Sequence, residues 1–481
     1  MIDKFKELYK KIIPKISNSP VLIWIVVGVF WEILLGAVCL IVSENKLVDT
    51  LALIILIIGC VMAFFMVCAG LVLILAKIIK KVKAYVSDNQ YTVNKEVKRN
   101  KRIKNNNKDN KKIRVGFYCD GGQFWSTFCD LYELMLHDDR FEPVVVAAPE
   151  TFRNEIYHYD AIDFLNGKGI PYVKAYENGK WLDFKTLKLD YFFYNRHYLS
   201  RQSKHSSFKV ARKYSKICYI PYAICPQVGQ VENTLCRFEE LRAFDFLFSE
   251  NEMMTRIYNR YKNVYDNVIT KIETVGSPKF AYAVANANKD ACHDKKYVQS
   301  ILYTPRWCFN ENTNSFFDLK DYFFELVRDN KNIEYIFRPH PLMKQTVEEK
   351  LGPEFWEEFM AEFDKYENAD VDLNTDYMES FSRASVLVSD LSTMMFEFSV
   401  TEKPVIYMYK VNKFNEFGKE ASKGYYYCYN ADDVDKTLAL LREGKDKFAE
   451  VRANISQKLY YNEGNHPAEQ IRDVILSDYN N

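Results

Sequence analysis

From Ile113 onward the chain alternates short apolar runs with amphipathic stretches of helical period. That alternation restricts the fold to parallel sheets covered by helices. One series predicts strands at Ile113–Cys119, Pro143–Ala147, Tyr172–Lys174, Tyr191–Tyr194, Ile217–Ile224 and Phe244–Phe248, with an Asp120-Gly121-Gly122 turn and a helix over Phe124–Leu136 after the first. A second series begins near Ser300 and predicts strands at Ile301–Pro305, Ile333–Phe337, Val386–Ser389 and Val405–Met408. The expected fold class is α/β, with two Rossmann-like lobes at 113–285 and 286–481. Ligands would then lie in the cleft, at the carboxyl ends of the strands.

Ahead of the lobes, Val21–Val42 and Leu51–Ala76 are apolar runs, each long enough to span a hydrocarbon core that takes about 20 helical residues. The short connection between them predicts an antiparallel transmembrane hairpin within residues 1–76. A cleaved signal is disfavoured by the length of the first run and by the second span that follows at once. Lysines flank both outer ends, Lys4 to Lys15 before and Lys77 to Lys83 after, so both termini and both lobes are expected on the cytoplasmic side of the cell membrane. Glu32, mid-span, reads as a neutral carboxyl bonded to the neighbouring helix.

Charge is partitioned along the chain. Between Lys77 and Arg114 there are 14 basic side chains against 3 acidic ones, while the whole chain is only +1, so the body is acidic. Residues 77–112 read as a solvated basic linker whose first part lies on anionic membrane lipids. No aromatic interleaving or reading-domain motif accompanies the basic run, so nucleic acid is not an expected partner. The 11 cysteines form no CxxC pair and no zinc spacing, so neither a disulfide framework nor a structural metal is expected.

Two motifs carry chemistry. Phe337-Arg338-Pro339-His340-Pro341 puts a cation and an imidazole at the end of a strand, and Val386-Leu-Val-Ser389-Asp390-Leu391-Ser392-Thr393 is a strand-turn-helix whose N–H groups and hydroxyls favour an anion. Together they suggest a pocket for a phosphate-bearing donor. An ordinary helix cap competes for the same N–H groups at Ser389, Asp390, Ser392 and Thr393, and a strand-end cap competes for His340. Asp370-Val-Asp372 resembles an Asp-x-Asp metal motif but reads as an acidic loop, so neither a metal nor any other cofactor is expected. His197 and His205, beside Arg196, Arg201 and Lys204, would bind an anionic acceptor or form a solvated basic face.

In order and spacing, Ile301-Leu-Tyr-Thr-Pro-Arg306-Trp307, Phe337-Arg-Pro-His340-Pro, Val388-Ser-Asp390-Leu-Ser392-Thr and Glu397-Phe…Lys403-Pro404-Val-Ile-Tyr resemble the CDP-glycerol glycerophosphotransferase family of teichoic-acid and capsule polymer enzymes. The resemblance implies a glycosyltransferase-B-like fold and transfer of glycerol phosphate, or a related polyol phosphate, from a CDP-activated donor to a hydroxyl of a lipid-linked or polymer acceptor. It places His340 and Arg338 at the donor pyrophosphate as catalytic residues. Ser389, Asp390, Ser392, Thr393, Arg306 and Ser277 would serve the donor, with Asp390 orienting the turn. The family's first-lobe Trp-His-Gly motif is replaced by Tyr222-Ala-Ile-Cys-Pro226-Gln227-Val-Gly229, without histidine, so the base comes from elsewhere, such as His197, or the acceptor differs, or activity has been lost; His197 and Gln227 are the acceptor-side candidates. A nucleotide-sugar transferase of the same fold and a non-catalytic scaffold of a polymer-assembly complex remain the alternative readings.

Overall fold

The computed structural model describes residues 95–481 apart from 106, 153–154, 232–237, 264–267, 287–297, 310–312, 375, 411–412 and 461–465. Before residue 95 it describes only residues 50, 53–54, 57–59, 61 and 75–76. Most of the expected hairpin lies outside the described residues. Those of its second run that are described are helical, with exposed apolar side chains such as Leu53 and Ile57. No described helix is long and apolar enough to cross a membrane.

Residues 96–481 form one compact unit built on two parallel sheets. The first contains β1 (Ile113–Cys119), β2 (Phe141–Ala147), β3 (Tyr172–Lys174), β4 (Tyr191–Tyr194), β5 (Lys216–Tyr219), β6 (Phe246–Ser249) and β7 (Lys271–Thr274), in the order β7-β6-β5-β4-β1-β2-β3. The second contains β8 (Ser300–Thr304), β9 (Glu334–Phe337), β10 (Ala369–Val371), β11 (Val386–Ser389), β12 (Val405–Met408) and β13 (Tyr425–Cys428), in the order β10-β9-β8-β11-β12-β13. Each order reverses once, between β1 and β4 and between β8 and β11. At such a reversal the flanking connections diverge to opposite faces and leave a crevice at the carboxyl ends.

The predicted strand at Ile217–Ile224 stops at Tyr219, because Pro221 lacks the N–H a ladder needs. The helix predicted over Phe124–Leu136 divides into a 3₁₀ turn, Gly122–Thr127, and α1, Cys129–Leu136. Gly122 is required there, since a Cβ would sit 2.5 Å from the Phe164 ring.

The lobe boundaries differ from expectation at both ends. Residues 95–105, read as part of a solvated tether, are helical and dock on the first lobe. Buried Arg99 donates to the Arg212 and Ser215 carbonyls at 3.1 and 3.2 Å and pairs with the Asp245 carboxylate, and Ile103 is buried. The basic composition hid a cation that, besides Glu96 one turn away at 2.6 Å, has partners more than a hundred residues distant. The final helix Pro467–Asn480, assigned by sequence to the second lobe, returns to the first. Ile471 and Ile475 enter that lobe's core, and Asp478 bonds Lys216 at 2.6 Å, Lys271 at 3.0 Å and the Tyr191 hydroxyl at 2.8 Å.

Removing Arg99 leaves the buried Asp245 carboxylate, among the described residues, with only Arg212 at 3.8 Å and the Ile217 N–H at 2.8 Å, a costly loss of neutralisation. Arg99→Ala is therefore expected to destabilise the chain by about 3 kcal/mol in denaturant titration, whereas a solvated tether residue would leave stability unchanged.

Candidate functional site

The second lobe's crevice is built by three adjacent strand ends. Across β8 and β11, Thr304 pairs in register with Ser389, and the two side chains bond each other: the Thr304 hydroxyl donates to Ser389 Oγ at 2.8 Å, and Ser389 Oγ donates to the Thr304 carbonyl at 2.9 Å. Ser389 is fully buried, so its hydroxyl ties the strands together. Asp390 follows, also fully buried, and its Oδ2 accepts from the Arg306 N–H at 2.8 Å and the Ser315 N–H at 3.0 Å. Ser315 precedes α2 (Phe316–Asp329), so this carboxylate satisfies a donor at that helix start and fixes the turn after β8. Asp390 thus ties its own turn to the backbone at Arg306 and at Ser315. Burial pushes its carboxyl up to about 6, opposed by its bonds to Ser315 and Arg306.

The turn delivers Arg306 to the crevice, where its guanidinium donates to the Leu391 carbonyl at 2.9 Å. His340, exposed at the end of β9, lies beside it. Partial desolvation, and then the positive charge of Arg306, hold the imidazole below its ordinary value, an effect that solvent at this exposed position moderates. Its Nδ1 accepts from the Leu342 N–H at 3.1 Å, which leaves the proton of the neutral ring on Nε2, and Trp307 flanks it with 5.9 Å between ring centroids. Ser392 is the N-cap of the short helix α3 (Thr393–Phe398), its Oγ accepting from the Met394 N–H at 3.1 Å. Thr393 is half-buried and has no side-chain hydrogen bond among the described residues. Arg306, His340 and the 391–393 turn therefore meet at the reversal of the second sheet.

Arg338 is directed elsewhere. Its guanidinium bonds Asp372 at 2.5 Å and the Asn374 carbonyl at 2.6 Å, and lies 5.8 Å from the Tyr377 ring centroid. Asp370 pairs with Arg383 at 3.0 Å, so both aspartates of the Asp-x-Asp segment are engaged by arginines. No group of residues suited to hold a metal occurs among the described residues. Ser277 is buried, and its Oγ accepts from the Phe280 N–H at 3.4 Å, at the start of the helix Pro278–Asn286.

The acceptor-side candidates occupy different settings. Gln227 forms an antiparallel bridge with Phe414 of the second lobe, flanked by Val228 N–H to Lys413 carbonyl at 2.7 Å and Asn415 N–H to Pro226 carbonyl at 2.8 Å. The segment standing in for the family's histidine motif is thus a strap between lobes. Gly418 allows the approach, because a Cβ there would lie 2.5 Å from the Pro226 carbonyl oxygen. His197 sits in the first lobe, buried, with Nδ1 2.9 Å from the Tyr219 hydroxyl. His205 stands apart from it against Trp181, with 6.0 Å between ring centroids.

Three sets of residues escaped sequence reading. At the first sheet's reversal, buried Arg196 joins Asp120 at 3.1 Å and Glu150 at 2.9 Å. Burial raises the Asp120 carboxyl, with Arg196 opposing. Between the lobes, buried Lys279 bonds Glu397 at 3.0 Å and the Tyr222 carbonyl at 3.0 Å. On the far strands of the second sheet, Tyr407, Tyr409, Tyr427 and Tyr429 are in ring contact. Asp120, at a strand end before Gly-Gly, and Arg196, read as part of a basic face, carried a local signal, but Arg196 is buried against two carboxylates and is not part of a solvated face.

Two parallel sheets, each with one reversal of strand order, and a C-terminal helix returning to the first lobe define a glycosyltransferase-B-like fold. The wall teichoic acid polymerase TagF, as its H548A variant, aligns with TM-score 0.52 at 15% identity over 81% of this chain and 98% of that one. A UDP-GlcNAc 2-epimerase from Neisseria meningitidis aligns with TM-score 0.51 at 10% identity over 76% and 100%. At these identities the likeness is one of fold alone. In sequence, residues 228–435 match the family described as CDP-Glycerol:Poly(glycerophosphate) glycerophosphotransferase, which bears out the resemblance across the second lobe. The minor teichoic acid biosynthesis protein GgaB of Bacillus subtilis (strain 168) is 22% identical, over 35% of this chain and 22% of its own length. The chain therefore spans about a fifth of that relative.

Because the folded-state value of Asp390 lies above its ordinary 3.8, the folded chain binds the proton more tightly than the unfolded one. Its contribution to stability is present below about pH 4 and is lost as pH rises through about 6. Relative to Asp390→Asn, the native chain should lose on the order of 2 to 3 kcal/mol across that window, read from denaturation curves at a series of pH values.

Proposed function

We propose that this chain is a membrane-anchored transferase that moves glycerol phosphate, or a related polyol phosphate, from a CDP-activated donor to a hydroxyl of a lipid-linked or polymer acceptor in cell-surface polymer synthesis. The observation that carries the reading is the meeting of Arg306, His340 and the Ser392–Thr393 turn at the reversal of the second sheet, inside the segment that matches the family.

The chemistry is displacement at phosphorus. The acceptor oxygen attacks the polyol-side phosphorus and forms the new O–P bond. The bond to the bridging oxygen breaks, CMP departs with its electron pair, and the hydroxyl proton passes to a base on the acceptor side. Little covalent work falls to the protein, so position and charge decide the rate. Arg306 supplies a fixed cation. His340, held below its ordinary value and so neutral near pH 7, presents Nε2–H as a donor to a phosphate oxygen. The start of α3 contributes the Thr393 hydroxyl and N–H groups. Arg338, bound to Asp372, acts from behind by holding the ends of β9 and β10 together. Bringing an anion to His340 favours the imidazolium, so donor binding and proton uptake are linked at this residue.

His340→Ala is expected to lower turnover of labelled CDP-glycerol by about 10²-fold or more with the melting temperature preserved. In the native chain, CDP should move the His340 imidazole upward in an NMR titration. Near-normal turnover in the variant would remove His340 from the mechanism. Lysines at both outer ends of the two apolar runs support cytoplasmic lobes. Reporters fused after Ser43 and after Asn481 should report opposite sides of the membrane.

A further inference from the structure

The carboxyl ends of β12 and β13 carry four tyrosines on one face of the second sheet. Tyr407 pairs in register with Tyr427, and the period of two along a strand brings Tyr409 and Tyr429 to the same side. Ring centroids are 5.4 Å apart for Tyr407 and Tyr427, 5.6 Å for Tyr409 and Tyr427, and 5.5 Å for Tyr409 and Tyr429. Interplanar angles of 76°, 50° and 70° mean that these rings meet by their edges or at a tilt. They do not use up one another's faces. Exposure rises along the series, from 0% at Tyr407 to 39% at Tyr427 and 59% at Tyr429.

The inner end of the series abuts the donor turn. Tyr407 pairs in register with Ser389, the residue before Asp390. Its hydroxyl is raised first by burial, and then feels the charges of Asp390, which raises it, and Arg306, which lowers it. Tyr407 and Tyr427 are thus one and two strands from the phosphate-binding turn, about 5 and 10 Å at the usual strand spacing. A ring joined to the diphosphate through a ribose spans such an interval. Partly exposed aromatic faces beside a cationic phosphate site suit a flat base above a sugar.

We propose that Tyr409 and Tyr427, with Tyr429 at the rim, form the seat of the donor's nucleoside. The assignment rests on the transferase reading above and adds to it a location for the base. Stacking on an aromatic face is tolerant of which base is bound, so the series supplies affinity for the nucleoside as a class. It makes no contribution to holding the phosphates.

The test uses the full-length chain and calorimetric titration with CMP and, separately, inorganic pyrophosphate. Tyr409→Ala and Tyr427→Ala should each weaken CMP about tenfold or more while leaving pyrophosphate affinity unchanged, and Tyr409→Phe and Tyr427→Phe should recover most of the loss. CMP affinity that is unchanged in both alanine variants overturns the proposal. So does a parallel loss for CMP and pyrophosphate, which would mark the tyrosines as supports of the phosphate site. An effect confined to the KM for the acceptor would assign the rings to the acceptor and overturn it as well. If the native chain binds pyrophosphate but gains nothing from the nucleoside of CMP, the CDP-donor reading itself fails, and that result is read before any variant is made.

Discussion

The second lobe depends on one buried carboxylate. Asp390 has no exposed surface and accepts the backbone N–H groups of Arg306 and Ser315 at 2.8 and 3.0 Å. Burial works against its ionisation, and the donors, by serving the charged form, offset only part of that. The arrangement binds the turn after β11 to the loop after β8, the two strands between which the sheet order reverses. A crevice at that reversal is a general property of doubly wound sheets. Here Asp390 determines which side chains face it, because the same backbone bond that satisfies the carboxylate brings Arg306 to the Leu391 carbonyl and to His340.

The two lobes are held by polar groups that are themselves buried. Lys279, carried on the helix that leaves the first lobe, meets Glu397 of α3 and the Tyr222 carbonyl, and its ammonium lies 5.3 Å from the centroid of the Tyr377 ring. Arg338 approaches the same ring. A buried charge pair contributes little net stability, but loss of one partner is costly, so the pair specifies how the lobes meet. The strap from Cys225 to Val228 adds backbone bonds to residues 413–415, and the Asn415 side-chain amide donates to the Cys225 carbonyl at 2.7 Å. Apart from the two contacts on the Tyr377 ring, each of these reaches either α3 or the segment that replaces the family's histidine motif.

Much of this was legible in the sequence. Strands β4, β11 and β12 lie where their apolar runs place them, and the strand-end positions of Arg306, His340 and Ser392 follow from periodicity. Three strands gave no such signal: Lys271–Thr274 has one aliphatic residue, Ala369–Val371 reads as an acidic loop, and Tyr425–Cys428 is a run of tyrosines. Partner choice was not legible either. Arg338 follows its strand as expected, but nothing local shows that Asp372 neutralises it, and nothing near Arg99 indicates Asp245 as its partner. Sequence pattern reports which face of an element is apolar. It does not report which distant polar group ends up opposite, and a site is made of such pairings.

The claim that the donor phosphates sit at the start of α3 separates from a purely structural role at Thr393, because Ser392 provides the cap and Thr393 does not. The decisive measurement is a calorimetric titration of the Thr393→Val chain with CDP, run beside a melting curve. A hydrogen bond to a charged group contributes about 1.5 to 3 kcal/mol, so the account predicts CDP affinity lowered by tenfold or more with the melting temperature unchanged. CDP affinity equal to that of the native chain would contradict it.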